Sequence, residues 1–277
     1  MKKFKLGLQL YSVRDKMEKD LEGTLKAVSE MGYECVETAG YFGKTAEEFK
    51  TLLDKYNLEA VSVHQTHDVF LENPDKNVAF LKTLGVKYCA IPWMDLKLHK
   101  GSADYDETVS GIKKVAVLLK ENGIQMLYHN HDFEFNKYED KFLLDWLFES
   151  VGFDLIKPEI DTCWVKYAGV DPCGYMEKHR GNIDCLHLKD FECDELGAGP
   201  VYNLIDSEGK ACAPKTKEER KFRYRPLGMG MQNFNEIIKT AEKCGTKYLI
   251  VEQDDSYEDD SLETSKQSID FLKRLGL

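Results

Sequence analysis

Apolar residues fall in short runs along the chain, each bounded by turn-forming residues and followed by a longer stretch in which apolar positions recur every three or four residues. The runs cover residues 6–11, 35–38, 60–64, 88–91, 125–129, 157–160, 183–188 and 248–251, and their length predicts β-strands. The stretches between them, near residues 18–31, 45–56, 74–84, 105–122, 140–150, 172–179, 234–244 and 260–275, predict amphipathic helices. Four of these run into Gly32, Gly85, Gly123 and Gly245, and another into Asn57. These residues tolerate the left-handed conformation that stops a helix before the next strand.

Strands that alternate with helices pair in parallel, and eight such units in 277 residues match a closed (β/α)8 TIM barrel, one α/β domain over residues 1–277. A doubly wound open sheet is the competing architecture. Against it, the first strand and turn, Leu8-Gln9-Leu10-Tyr11-Ser12-Val13-Arg14, carry no glycine-rich phosphate fingerprint, and no Walker A pattern occurs. Only about residues 191–231 break the rhythm, with eight glycines and prolines, and this reads as a long loop insertion. Its middle, residues 215–225, is basic and reads either as solvated surface or as an anion-facing lid.

Composition narrows the partners. Acidic residues outnumber basic ones 49 to 38, for a net charge of −11, so nucleic acid and anionic membranes are disfavoured. There is no run of eighteen apolar residues and no apolar stretch behind the basic start, and the eight cysteines include no C-x-x-C pair. These features predict a reduced, cytoplasmic protein without a membrane span.

The candidate chemistry lies at the ends of the strands, because a parallel barrel places catalytic groups at the C-terminal ends. Six runs end in polar residues: Glu37, His64, His129-Asn130-His131, Asp161, His187-Leu188-Lys189-Asp190 and Glu252-Gln253-Asp254. Singly, each reads equally as a helix cap, a rim charge or a hydrogen-bonded packing residue. Gathered at one mouth, so many carboxylates and imidazoles repel one another unless a cation joins them, and mixed N/O ligation suits Mn²⁺, Zn²⁺, Co²⁺ or Fe²⁺. Alternation puts His129 and His131 on one face of the fifth strand. Glu134 reaches the mouth only if the chain turns after His131, so spacing alone leaves open which of the three binds metal.

The chain resembles the sugar phosphate isomerase/epimerase group of xylose isomerase-like TIM barrels, a superfamily that includes hydroxypyruvate isomerase, tagatose 3-epimerase, inosose dehydratase and AP endonuclease. The likeness is carried by Gly7-Leu8-Gln9-Leu10-Tyr11-Ser12-Val13-Arg14-Asp15, Tyr128-His129-Asn130-His131-Asp132-Phe133-Glu134-Phe135, Ile160-Asp161-Thr162-Cys163-Trp164, Leu186-His187-Leu188-Lys189-Asp190, Pro226-Leu227-Gly228-Met229-Gly230 and Val251-Glu252-Gln253-Asp254. It implies one divalent metal ion, Mn²⁺ first and Zn²⁺, Co²⁺, Fe²⁺ or Mg²⁺ as alternatives, held by Asp161, His187, Glu252 and a fourth ligand.

Where the epimerases present Glu at the end of strand five, this chain has His129. Glu134 is assigned as the fourth ligand and His129 or His131 as a nearby acid/base, although a direct His129 ligand fits the strand phase better. Glu252 and His131 are the candidates for proton transfer. Lys189 is assigned to electrostatic stabilisation or substrate binding, its plain alternative being a salt bridge with Asp190. Gln9, Glu37 and His64 read as a polar wall for hydroxyl groups, and Trp93 and Trp164 either as apolar faces for a sugar ring or as core.

The implied activity is a metal-dependent isomerase or epimerase that removes a proton next to the carbonyl of a keto-sugar or polyol derivative through an enediolate. A lyase sharing that step, an inosose-type dehydratase or a keto-glycoside-cleaving enzyme, is the close alternative, and a non-catalytic sugar-binding barrel the alternative of another class. A homo-oligomer is compatible with the likeness.

Overall fold

A computed structural model describes residues 4–197, 199, 201, 221–257 and 259–277. Eight strands, β1 (Lys5–Gln9), β2 (Cys35–Thr38), β3 (Glu59–His64), β4 (Tyr88–Ile91), β5 (Gln125–His129), β6 (Ile156–Asp161), β7 (Cys185–Leu188) and β8 (Tyr248–Val251), close into a parallel barrel in the order β1-β8-β7-β6-β5-β4-β3-β2. This is the TIM barrel that the alternation predicts. No helix among the described residues is long and apolar enough to cross a membrane.

Side chains on a strand alternate between two faces, so each barrel strand sorts its residues into two cores. Residues such as Leu8, Val36, Tyr128, Ile160, Leu186 and Leu249 join the large apolar core shared with the helices. The opposite face contributes a second, separate cluster that includes Cys35, Leu127, Cys185 and Ile250. Two residues further along the same face of each strand, the apolar side chain gives way to a polar one: Cys35 to Glu37, Leu127 to His129, Cys185 to His187, Ile250 to Glu252. The barrel interior is therefore an apolar plug below and a buried polar layer above.

Several boundaries differ from expectation for local reasons. The first strand stops at Gln9 rather than Tyr11, because the Gln9 side chain accepts the Tyr11 backbone N–H and turns Leu10–Val13 into a 3-10 helix. The helix expected over 18–31 divides into Arg14–Met17 and Leu21–Met31, the second capped by Asp20, which accepts the Gly23 N–H. Two further short helices, His67–Glu72 and Thr162–Tyr167, follow β3 and β6. The helix ends at Gly32, Gly85, Gly123 and Gly245, and the turn at Asn57, all have the positive φ that stops a helix.

Of the expected insertion, residues 198, 200 and 202–220 lie outside the described residues, including most of the basic stretch 215–225. Its flanks are ordered around Asp190. Asp190–Glu192 pairs antiparallel with Arg223–Arg225. The Asp190 carboxylate accepts backbone N–H groups from Gly228, Gly230 and Gln232 at 2.9, 2.9 and 3.2 Å. A methyl group on Gly230 would lie 2.3 Å from Asp190 Oδ1 and 2.4 Å from the Phe191 carbonyl oxygen, so only glycine lets the loop wrap this carboxylate. Gly230→Ala is expected to lower stability by about 1–3 kcal/mol in urea unfolding, through overpacking of a buried hydrogen-bonded group. Truncating the exposed neighbour Met229 to Ala should stay within about 0.5 kcal/mol, and equal losses for both would refute the anchoring role.

Candidate functional site

The polar layer forms the floor of a cavity of about 540 Å³ at the C-terminal mouth of the barrel, with His64, His129, His131, Lys189, Glu252 and Asp254 among its walls. One ligand atom from each of His129, Asp161, His187 and Glu252 lies within 4.8 Å of the other three. His129 Nε2 is 3.7 Å from Asp161 Oδ2 and 3.9 Å from Glu252 Oε2, and His187 Nδ1 is 2.9 Å from Glu252 Oε2. Asp161 is oriented by the chain around it. Its Oδ1 accepts the Cys163 N–H at the start of Thr162–Tyr167, and its own N–H is held by Asn130 Oδ1, which leaves Oδ2 facing the cluster.

Lys189 lies in the same group. Its Nζ sits 3.0 Å from Asp161 Oδ2, 2.9 Å from Glu252 Oε2 and 3.0 Å from Asp254 Oδ1, and 5.0 Å from the centre of the Trp164 ring. Asp190 turns its carboxylate to the backbone N–H groups of Gly228, Gly230 and Gln232. Alternation explains why: Lys189 shares the interior face of His187, while Asp190 points out to the glycine loop.

Beneath these residues lies a second tier. Glu37 Oε1 takes contacts from Gln9 Nε2 at 2.8 Å, His64 Nε2 at 2.8 Å and His187 Nε2 at 2.7 Å. His64 Nε2 is also 3.0 Å from Glu159 Oε2. Glu159 ends no apolar run, yet the period of two in Lys157-Pro158-Glu159-Ile160-Asp161 places it on the interior face with Asp161. Gln9 and Glu37 are fully buried and do not line the cavity, so the polar wall for hydroxyl groups reduces to His64, which does.

Glu134 is not brought to the cluster. After His131 the chain turns into the 3-10 helix Phe133–Phe135, which carries Glu134 outward to Tyr128. Its carboxylate accepts the Tyr128 hydroxyl at 2.7 Å and the His131 backbone N–H at 2.8 Å. His129 takes the fourth place in the cluster instead. The two tryptophans also separate. Trp93 is 45% exposed on the cavity rim, whereas Trp164 is fully buried in a cluster with Tyr167, Phe191, Phe222 and Tyr224.

Burial sets the charge states. It pulls His131 down to about 3, helped by the Lys189 ammonium, so this imidazole is neutral near pH 7. Burial, with His187 and His64 nearby, also holds His129 well below its ordinary value. Burial works against protonated His64, but Glu37 and Glu159 outweigh it and lift His64 to about 10. The same opposition, won by Glu37, Glu159 and Glu252, raises His187. Asp161 is pushed up to about 6 and Glu159 to about 7 by burial, each reinforced by a neighbouring carboxylate. Burial also acts to raise Glu252, yet Lys189 and His187 hold it low.

This donor set suits a divalent cation. Four buried N and O donors converge from four strands, and Glu37 Oε2, Glu159 Oε1 and His129 Nδ1 are buried without a hydrogen-bond partner among the described residues.

A family model described as xylose isomerase-like TIM barrel matches residues 25–275. The chain belongs to that family. Among curated relatives of this xylose isomerase-like barrel, inosose dehydratase of Mesomycoplasma hyopneumoniae strain 7448 is 25% identical over 90% of the chain and 88% of the relative. Among solved structures, a sugar phosphate isomerase/epimerase from Parabacteroides distasonis superposes with a TM-score of 0.75 at 23% identity, covering 97% of each chain. The IOLI protein, solved with a bound zinc atom, superposes with a TM-score of 0.72 at 14% identity over 98% of each chain.

Within this barrel, burial lifts the Glu134 carboxyl to about 8, beyond what the hydrogen bonds from Tyr128 and His131 can offset. An unfolded chain loses this proton near 4.5, while the folded protein keeps it to about 8. The group's contribution to stability is therefore complete below the unfolded value and is lost as pH rises through that window. Glu134→Gln, which cannot ionise, is expected to flatten the decline in urea-unfolding free energy between pH 5 and 8. A variant whose decline matches the parent's would show that Glu134 is ionised in the fold.

Proposed function

We propose that this barrel is a divalent-metal-dependent enzyme that removes a proton from the carbon beside the carbonyl of a keto-sugar or keto-polyol. The reading is carried by the convergence of His129, Asp161, His187 and Glu252 on the floor of a cavity that also presents the neutral imidazole of His131. These four residues would hold the ion. When bound, a divalent cation supplies Lewis-acid stabilisation of negative charge developing on a carbonyl oxygen. The preferred identity is Mn²⁺, with Zn²⁺, Co²⁺, Fe²⁺ or Mg²⁺ as alternatives.

The chain's own groups divide the remaining work. His131 lines the cavity and is the candidate acceptor of the carbon-bound proton. The C–H electron pair then becomes the carbon–carbon double bond of an enediolate, and the carbonyl π pair moves to oxygen. Glu252 is the alternative base, but its Oε2 already meets His187 and Lys189. Lys189 places a fixed positive charge at the floor, where it lowers the cost of the enediolate. His64 reaches the cavity from below as a hydroxyl-binding group, and exposed Trp93 offers an apolar face at the rim.

From the enediolate, expulsion of a β-hydroxyl with the abstracted proton gives dehydration, whereas return of the proton to carbon gives isomerisation or epimerisation. Dehydration is the first reading because the curated relatives are inosose dehydratases. Isomerisation is the second, in keeping with the Parabacteroides structure.

Purified protein is expected to carry one transition-metal ion per chain, lost in Asp161→Ala and His187→Ala. Metal-loaded enzyme incubated in D2O with an inosose should release water. Deuterium uptake at carbon with water retained would move the assignment to isomerisation, and no turnover of inosose or ketohexoses would sink both. His131→Ala should keep the metal and lose about 10²- to 10⁴-fold in kcat.

A further inference from the structure

Of the two imidazoles in the proposed metal cluster, His187 is held at both ends, with Nδ1 at Glu252 and Nε2 at Glu37. It thus spans the two tiers, with a ligand carboxylate above and a different carboxylate below. His129 is positioned instead by packing, its ring centre 4.5 Å from that of His187 and 5.1 Å from that of His64. An imidazole that donates one ring N–H to a carboxylate is fixed in a single tautomer and orientation, and its other nitrogen is left as a lone-pair donor.

We infer that Glu37 is a positioning residue for metal binding: it fixes the tautomer and ring plane of His187, and it holds the His64 and His187 rings that pack against His129. This rests on the metal-dependent reading above. Glu37 is fully buried and absent from the cavity wall, so it does not touch a substrate there. Its Oε1 is the meeting point of three donors from three different strands: Gln9, His64 and His187. Gln9 and Glu37 are register partners on adjacent β1 and β2, and the Gln9 carbonyl oxygen of the side chain is anchored by the Tyr11 N–H. The His64 ring lies nearly parallel to that of His187, 10° between planes and 5.5 Å between centres, so the lower tier also restrains His187 by stacking.

The lower tier itself offers four donors, His64, His129, Glu159 and His187, close enough to hold a cation. The contacts of His64 with Glu37 and Glu159 match its charges already, which favours support of the upper tier over a second ion.

The test uses the full chain, stripped of metal and titrated with Mn²⁺ and Zn²⁺ by calorimetry and with Co²⁺ by visible absorption. Glu37→Gln is expected to bind one ion about 10- to 100-fold more weakly than the parent, with an altered Co²⁺ spectrum and an unchanged far-UV circular dichroism spectrum. Glu37→Leu removes the acceptor entirely and should lose more. Because Leu also strands two buried histidines and risks unfolding, the Gln variant decides. Parent affinity and an unaltered Co²⁺ spectrum in Glu37→Gln would overturn the inference while leaving the metal reading intact. Two ions per parent chain, one of them lost in His64→Ala, would overturn it in favour of a second site. A parent chain that binds none of the three ions would remove the metal reading and this inference together.

Discussion

The cost of burying charge governs this molecule. Glu37, Glu159, Asp161 and Glu252 stand inside one barrel, largely removed from water, and none can remain ionised there without a positive partner. The chain meets that demand with Lys189, which bridges Asp161, Glu252 and Asp254, and with His64 and His187, which bind Glu37 from two strands. The raised carboxyls of Asp161 and Glu159 mark where this compensation falls short. A divalent cation would answer the shortfall, and the donor atoms left facing one another are of the kinds such an ion takes.

The same constraint separates the roles of neighbouring residues. His129 and His131 are two positions apart, and both are neutral because burial opposes their protonation. His129 lies among the carboxylates. His131 packs between Phe133 and Trp164 and lines the cavity. The outward face of the strand ends is equally ordered. Asp190 gathers the Gly228–Gly230 turn, and Glu134 ties Tyr128 to the backbone of His131, so both acidic residues shape the rim from behind.

Much of this was legible in the residues. Helix-stopping glycines, the alternation of strand and helix, and polar residues at the ends of apolar runs point to a barrel with one mouth; that pattern makes Asp161, His187 and Glu252 candidates, and the family resemblance alone implies that they are ligands. The period of two also contained the assignment of Lys189 to the interior and of Asp190 to the exterior. Glu159 obeys the same rule, but it sits inside an apolar run rather than at its end, and so it carried no terminal signal. Strand phase already favoured His129 over Glu134.

The sequence by itself determined the closed barrel and the set of side chains on its interior face, because alternation is a local property of an extended backbone. Only the tertiary structure decided how those side chains share charge. Whether Gln9 and Glu37 meet a substrate or brace His187, whether Glu134 reaches the mouth, and whether Trp93 or Trp164 lines the cavity all depend on distances between strands remote in the chain. Those distances follow from barrel closure and stagger, which no single segment encodes.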